Sequence, residues 1–367
     1  MFSGVQVLAG RLTADNVAMA SPPPQLSSLH PFETLTPDQV LDALDSVGLR
    51  GDGRLTALSS YENRVYQVQL EDGSAVVTKF YRPGRWSDAQ IQEEHDFSGE
   101  LADAEVPAVG PMLLVGASLH HFGGFAFSVS PRRGGRGPEL DDAEVLEWIG
   151  RFLARFHSVG ARCAFVHRPA LNLQTFGEAS RDWLLDNERV PLDVQARWAE
   201  VSRQALDRVG QHDSLMPESP GSREGAIRLL RLHGDCHPGN ILWTPTDVPA
   251  AKGPGPHFVD LDDARTGPAV QDMWMLLSGD RQQRQRQLGA LVDGYEQFRA
   301  FDRRELALIE PLRTLRLIHY SAWLARRWAD PIFPINFPWF GSSDYWKGQI
   351  QMLEDQCEVM DEVPLVV

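Results

Sequence analysis

The stretch His233-Gly-Asp-Cys-His-Pro-Gly-Asn240, followed by Phe258-Val-Asp-Leu-Asp-Asp263, arranges carboxylate and amide side chains as a phosphoryl-transfer site requires. Such a site needs one carboxylate to orient an attacking hydroxyl and accept its proton. It also needs hard oxygen donors that hold a magnesium ion against phosphates. Asp235 and Asn240 share one segment at the spacing of a catalytic aspartate and its metal-binding asparagine, and Asp260 closes the apolar pair Phe258-Val259, which reads as a short buried strand. Asn240 and Asp260 are therefore expected to ligate magnesium, with Asp260 also counted as catalytic, and Asp235 to accept the proton. Zinc is disfavoured in the cluster of His233, Asp235, Cys236 and His237, because no second Cys or His pair stands at ligand spacing. His233 and His237 are expected instead to hold the loop through hydrogen bonds. Asp262 and Asp263 read as solvated or capping carboxylates beside the ligand.

These residues need elements to position them. Leu229 to Leu232 reads as the short strand that delivers the loop. Upstream, Tyr66, Val68 and Leu70 alternate with polar residues, Asp72-Gly73 supplies a turn, and Ala75 to Phe80 returns as a second strand. The period of two puts Ala75, Val77 and Lys79 on one face, where the ammonium is expected to grip phosphates. Ser87-Asp-Ala-Gln90 predicts a capping box and a helix through about Ala102. Glu94, placed beside the inward stripe of Phe97 and Leu101, is preferred over Glu93 as partner of Lys79, which leaves Glu93 as an exposed helix charge. An earlier helix starts at Thr36-Pro37 and runs to about Gly48.

Phe125 to Val129 reads as a strand running into Ser130-Pro-Arg-Arg-Gly-Gly-Arg-Gly137, the candidate hinge, so Val129 and Ser130 are candidates for adenine contact. Beyond it, Val145, Ile149, Phe152, Leu153 and Phe156 form a helical stripe, and residues 172–230 read as helices with breaks near Pro191 and at Pro217 to Gly225. Between Trp243 and His257 an extended loop is expected. Asp272 opens another helix, where its carboxylate either accepts backbone N–H groups of the catalytic loop or sits in the first turn. The aromatic run from Trp328 to Trp346 reads mainly as core or lobe-edge packing, and a cage for a cation is the alternative.

Composition frames the rest. A chain of 367 residues with 43% hydrophobic content suits two lobes around a cleft. Its formal charge of −15 argues against a nucleic-acid partner and requires any nucleotide site to be locally positive. Cys163, Cys236 and Cys357 offer no disulfide framework, and no apolar run reaches membrane-spanning length, so a cytoplasmic protein without a membrane partner is expected. Residues ending in Ala18-Met-Ala20 imitate a signal cleavage site but lack a basic start, and secretion is discounted. The expected organisation is a flexible leader (1–28), a small lobe (29–130), the hinge (131–137) and a larger lobe (138–367).

His233 to Trp243 together with Phe258 to Arg265 resembles the aminoglycoside phosphotransferase and choline kinase branch of the protein-kinase-like fold. Further stretches, Ser60-Tyr-Glu-Asn-Arg-Val-Tyr-Gln67, Lys79-Phe-Tyr-Arg-Pro83, Gln271 to Leu277 and Arg327-Trp-Ala-Asp-Pro331, look like one bacterial stress-response group within it. The resemblance implies an α+β bilobal fold, with an antiparallel sheet plus helix in the small lobe and a mainly helical large lobe. It implies a monomeric serine/threonine protein kinase that uses ATP and Mg²⁺ on protein substrates, with Ser60 in the ATP site. Phosphorylation of a small alcohol such as choline, homoserine or an aminoglycoside is the alternative, and a nucleotide-binding pseudokinase scaffold is a second. Two departures stand out. The leader and the segment from Thr244 to His257 look like additions, and Ser59-Ser60-Tyr61-Glu62-Asn63 replaces a glycine-rich phosphate loop, leaving phosphate contacts to backbone N–H groups and serine hydroxyls.

Overall fold

The computed structural model of the protein describes residues 30–216, 226–245 and 254–367. The expected leader, the break at Pro217 to Gly225 and the middle of the 244–257 segment lie outside the described residues. Helix α1 (Pro37–Ser46) starts as the sequence predicts, with Thr36 Oγ1 accepting the Gln39 N–H at 3.2 Å and Pro37 in the first turn. A five-stranded antiparallel sheet follows, in the order β1-β2-β3-β5-β4. Its members are β1 (Gly51–Ala57), β2 (Arg64–Leu70), β3 (Ala75–Phe80), β4 (His120–Phe122) and β5 (Phe125–Pro131), with α2 (Asp88–Asp103) between β3 and β4. The sequence reading missed β1, whose Gly-rich run is mostly exposed and carries no apolar alternation.

On β3 the buried face is Val76, Thr78 and Phe80, which leaves Ala75, Val77 and Lys79 on the other, as the period of two requires. Val76 and Phe80 join Val40, Leu44, Val68 and Phe127 in one core. Each such fully buried side chain contributes roughly 1.5–3 kcal/mol. Helix α2 is capped by Ser87 and Gln90 in a reciprocal box, and its Phe97 and Leu101 enter a second, larger core. This helix therefore belongs to both lobes.

The large lobe is built on α3 (Ala143–Gly160), α4 (Ala179–Asp186), α5 (Leu192–Val209), the short strands β6 (Leu230–Leu232), β7 (Ile241–Thr244), β8 (Gly255–Phe258) and β9 (Arg265–Gly267), and then α6 (Gln271–Trp274), α7 (Arg281–Tyr295), α8 (Ile309–Arg326), α9 (Ile332–Asn336) and α10 (Ser343–Val359). Helices α3 and α7 approach closely because Gly150 lacks a side chain: a Cβ there would lie 2.1 Å from the Leu291 carbonyl oxygen. Strand β6 pairs antiparallel with β9, and β7 with β8, so that Ile241 faces Phe258. The second pairing corrects the expected loop from Trp243 to His257. Its last part is a strand whose Gly-Pro start hides it from propensity. The aromatic C-terminal stretch packs as expected, with Trp328 against Phe340 and Phe333 against Phe337. No helix among the described residues is long and apolar enough to cross a membrane.

Candidate active site

Strand β6 ends at Leu232 and releases the catalytic loop against a buried carboxylate. The N–H groups of His233 and Gly234 donate to Asp272 Oδ2 and Oδ1, each at 2.9 Å. Asp272 Oδ2 also lies 3.1 Å from His157 Nε2, whose Nδ1 is 3.0 Å from the Tyr295 hydroxyl. One acidic side chain on α6 thus ties the loop to α3 and α7, and of the two roles expected for Asp272 it fills the first. Gly234 has φ +81°, and a Cβ there would meet the Asp263 carbonyl oxygen at 2.2 Å, so only glycine fits. His233 Nε2 donates to the Val259 carbonyl at 2.9 Å, and His237 Nδ1 accepts the Gly239 N–H at 3.0 Å. Both histidines hold the loop as their sequence context predicts.

Within the loop, Asn240 Nδ2 donates to the Asp235 carbonyl at 3.0 Å, which fixes the amide and turns its Oδ1 away from that carbonyl. The Val259 N–H donates to the Asn240 carbonyl at 3.0 Å, so the loop and the strand end carrying Asp260 are stitched side by side. Asp260 adopts the left-handed conformation, φ 59° and ψ 64°, with its side chain half exposed. Non-glycine residues seldom do this, and Asp and Asn do so most readily. The Asp235 carboxylate points elsewhere: its Oδ1 lies 2.6 Å from Arg316 Nη2 on α8, and its Oδ2 lies 3.6 Å from His237 Nε2.

Lys79 reaches across from β3 and pairs with Asp260 Oδ1 at 2.7 Å and with Asp262 Oδ1 at 3.3 Å. Burial weakens its ammonium, yet Asp260, Asp262 and Glu94 together raise its pKa well above the usual lysine range. Its ion pairs are with those two aspartates and not with Glu94, because the two carboxylates on one short segment outweigh a single one on α2. Glu94 is buried. Burial pushes its pKa up to about 7 while Lys79 and Arg168 act in the opposite sense, and its Oε2 stands 4.0 Å from Arg168 Nη1.

Three expectations change here. Glu93 is no exposed helix charge: it accepts the N–H groups of Val166, His167 (2.9 Å) and Arg168 (2.8 Å), which fastens α2 to the segment after α3. Asp262 is buried and Asp263 only partly exposed, and neither is a free surface charge. Arg85 bridges them, Nη1 at 3.0 Å from Asp262 and Nη2 at 2.7 Å from Asp263, and Arg265 Nη2 lies 2.5 Å from Asp263. Burial raises the pKa of each, but Lys79 and Arg85 at Asp262, and Arg85 and Arg265 at Asp263, prevail and hold both below the usual carboxylate range. Val129, finally, is fully buried with its carbonyl accepting the Met112 N–H at 2.7 Å, so that oxygen is not open to an adenine; Ser130, opposite Val77, is half-buried.

The turn between β1 and β2 holds Ser60, half-buried, and beside it Tyr61 and Glu62. Glu62 collects Arg82 Nε (2.9 Å), Arg85 Nη1 (2.8 Å), Arg327 Nε (2.5 Å) and the Trp323 indole N–H (2.6 Å). Asp330 in turn binds Arg64 (2.9 Å) and Arg82 (2.8 Å), and Tyr61 sits edge-on to Phe337 at 4.9 Å. Within an acidic chain, the site is thus locally rich in arginine. Sequence reasoning missed Glu62, Arg85 and Arg316, since their partners lie far along the chain, 178 positions for Arg85 and Asp263, and no spacing signals them. The available sign was that Glu62, Arg64, Arg82, Arg327 and Asp330 fall inside three of the stretches that carried the resemblance.

A two-lobed fold with a lysine facing an aspartate–asparagine loop and a second aspartate across the cleft is that of a kinase. The sequence pattern of the Phosphotransferase enzyme family matches residues 54–309, and the chain belongs to that family. It is 45% identical over 339 residues to Stress response kinase A of Escherichia coli (strain K12), covering 92% of this chain and 98% of that one. It is 42% identical to Serine/threonine protein kinase RdoA of Salmonella typhimurium (strain LT2), covering 91% and 96%. Among solved structures, an amicoumacin kinase in complex with AMP-PNP, Ca²⁺ and Ami shares the fold, with a TM-score of 0.64 at 18% identity over 90% of this chain and 95% of that one.

Proposed function

We propose that the protein is a cytoplasmic, monomeric serine/threonine protein kinase of a bacterial stress response, transferring the γ-phosphoryl group of Mg-ATP to a protein hydroxyl. The observation that carries this reading is the meeting of Asp235, Asn240 and Asp260 on two stitched segments with Lys79 opposite. The name of the relative at 42% identity, a serine/threonine protein kinase, supports the protein acceptor.

Asn240 and Asp260 suit magnesium: one offers an amide oxygen whose nitrogen is already engaged, the other a carboxylate, both hard donors. No group of three or more His, Cys, Asp or Glu arranged for a metal occurs among the described residues, so water and phosphate would complete the shell. Bound there, the ion neutralises phosphate charge. Lys79, with Ser60 and the backbone of its turn, binds and orients the phosphates. The acceptor oxygen attacks the γ-phosphorus, the bond to the β–γ bridging oxygen breaks, ADP leaves with that electron pair, and the hydroxyl proton passes to the Asp235 carboxylate.

The test is transfer of labelled phosphate from ATP to protein with no small alcohol present, for the wild type and Asp235→Ala. Label on protein that falls by roughly 10²–10⁴-fold in the variant is expected. No label on protein there, with label appearing on a small alcohol when one is added in a second assay, would sink the protein-kinase reading, and equal transfer by the variant would sink the role of Asp235.

A further inference from the structure

The turn from Ser59 to Asn63 joins β1 to β2, and two arginines hold its carbonyl side. Arg82 Nε donates to the Glu62 carbonyl at 2.9 Å and Arg82 Nη2 to the Tyr61 carbonyl at 3.2 Å, while Arg64 Nη1 reaches the Tyr61 and Asn63 carbonyls at 3.4 Å each. The Arg82 N–H donates to Asn63 Oδ1 at 3.0 Å, which fixes a side chain of the turn as well. Both guanidinium groups then end on one carboxylate. Asp330, between α8 and α9 in the large lobe, takes Arg82 Nη2 at 2.8 Å on Oδ2 and Arg64 Nη2 at 3.0 and 2.9 Å on its two oxygens. We propose that Arg82 is a positioning residue for the nucleotide phosphates, and that Asp330 sets the pose in which it holds the turn. This rests on the reading above, in which the turn and Lys79 bind the phosphates, and it adds a residue of the large lobe to that site.

Three observations carry it. First, the turn is polarised. Among the described residues none accepts a hydrogen bond from the N–H groups of Ser59 to Glu62, whereas the carbonyls of Tyr61 and Glu62 are engaged by guanidinium. Successive N–H groups gathered on one side of a turn, with its carbonyls bound on the other, make a site for an anion. Second, Arg82 lies three residues after Lys79 on the chain leaving β3, so one short stretch sets the ammonium and the turn relative to each other. A displacement of about 1 Å in such a site costs on the order of 100-fold.

Third, the anchor is dry and confined. The Asp330 side chain is 1% exposed and that of Arg82 8%, so water does not stand in for either partner when the other is lost. The Arg82 guanidinium also lies over the Phe32 ring of the small lobe and the Phe333 ring of the large one, at 5.3 and 5.7 Å. Its fork serves two carbonyls and a carboxylate at once, which a single ammonium cannot do.

The experiment uses the full chain and reads equilibrium binding with no acceptor present. The ratio of Kd for adenosine to Kd for Mg-ATP is measured for the wild type, Arg82→Lys and Asp330→Asn. Adenosine lacks the phosphates and reports whether the nucleoside site is intact. Arg82→Lys is expected to weaken Mg-ATP by roughly 10–100-fold and Asp330→Asn by about tenfold, the size of one or two lost charged hydrogen bonds, with adenosine changed less than about twofold. An unchanged ratio in Arg82→Lys overturns the assignment of Arg82, and an unchanged ratio in Asp330→Asn overturns that of Asp330. A variant that binds neither ligand overturns its assignment in favour of a role in folding alone. A wild type that binds adenosine as tightly as Mg-ATP removes the phosphate role of the turn and the positioning with it. Because no acceptor takes part, absence of label on protein in the transfer assay fells the protein-kinase reading and leaves this ratio standing.

Discussion

The loop carrying Asp235 and Asn240 is held by hydrogen bonds to fixed acceptors, whereas the segment carrying Asp260 is held by ion pairs that cross the cleft. Asp272 takes two loop N–H groups, and His233 ties the loop to Val259. On the other side Lys79 and Arg85 meet Asp260, Asp262 and Asp263, and Arg85 passes the chain of charges on to Glu62 and so to Arg327 on the far lobe. The hydrogen bonds of the first arrangement offer an arriving anion no ammonium or guanidinium to compete for, because their donors are two backbone N–H groups and the His233 ring. The second arrangement does, since every phosphate brought to Lys79 competes with Asp260 and Asp262 for the same ammonium. The proposed base and the proposed metal-binding amide are thus preorganised, while the proposed nucleotide side is held by charges that can be redistributed.

Breaking the first arrangement has the largest expected effect. Asp272→Ala leaves two buried N–H groups unpaired and should lower stability by about 3 kcal/mol, with kcat down by roughly 100-fold from misplacement of Asp235. Urea unfolding and steady-state kinetics check it; a stable variant that has lost only ATP affinity would erase the contrast. Next comes pH. Glu94 has a folded pKa raised to about 7 against an ordinary value of 4.5. Its contribution to stability is therefore fully present below about pH 4.5 and lost as pH rises through 7. Between pH 5.5 and 7.5 the wild type should lose roughly 2 kcal/mol that Glu94→Gln does not lose, read from unfolding midpoints across that range. The smallest effect sharpens the contrast. Asp262→Asn frees Lys79 and Arg85 from one anion and should change the KM for ATP by about tenfold, roughly 1.4 kcal/mol, in a salt-dependent way and with kcat nearly retained.

The same division decides what the sequence could reveal. The catalytic loop is local, so Asp235, Asn240, Asp260, His233, His237 and the helix opened by Asp272 were all visible in one 40-residue region. The hairpin bearing Lys79 and the capped helix bearing Glu94 were visible as well, because alternation and caps are written in neighbouring residues. The charge network was not. Arg82 and Arg85 find partners through the packing of one lobe on the other, and Arg316 through the packing of α8 on the loop after β6, and nothing in the types of their neighbours distinguishes them from solvated charges. Glu93 and Asp262 were misread for that reason. Strand β1 and the start of β8 escaped notice for another: Gly in the first, and Gly-Pro in the second, mask a pairing that only the partner strand enforces.

The left-handed backbone at Asp260 bears on how an inert form of this protein should be made. A β-carbon in that conformation costs roughly 1–2 kcal/mol, which Asn and Gly avoid better than other residues do. Replacing Asp260 by Ala therefore confounds a lost metal donor with a strained turn. Asn removes the charge and leaves the main chain at ease, which makes it the better choice for a trap that must keep its partners bound in an undistorted cleft.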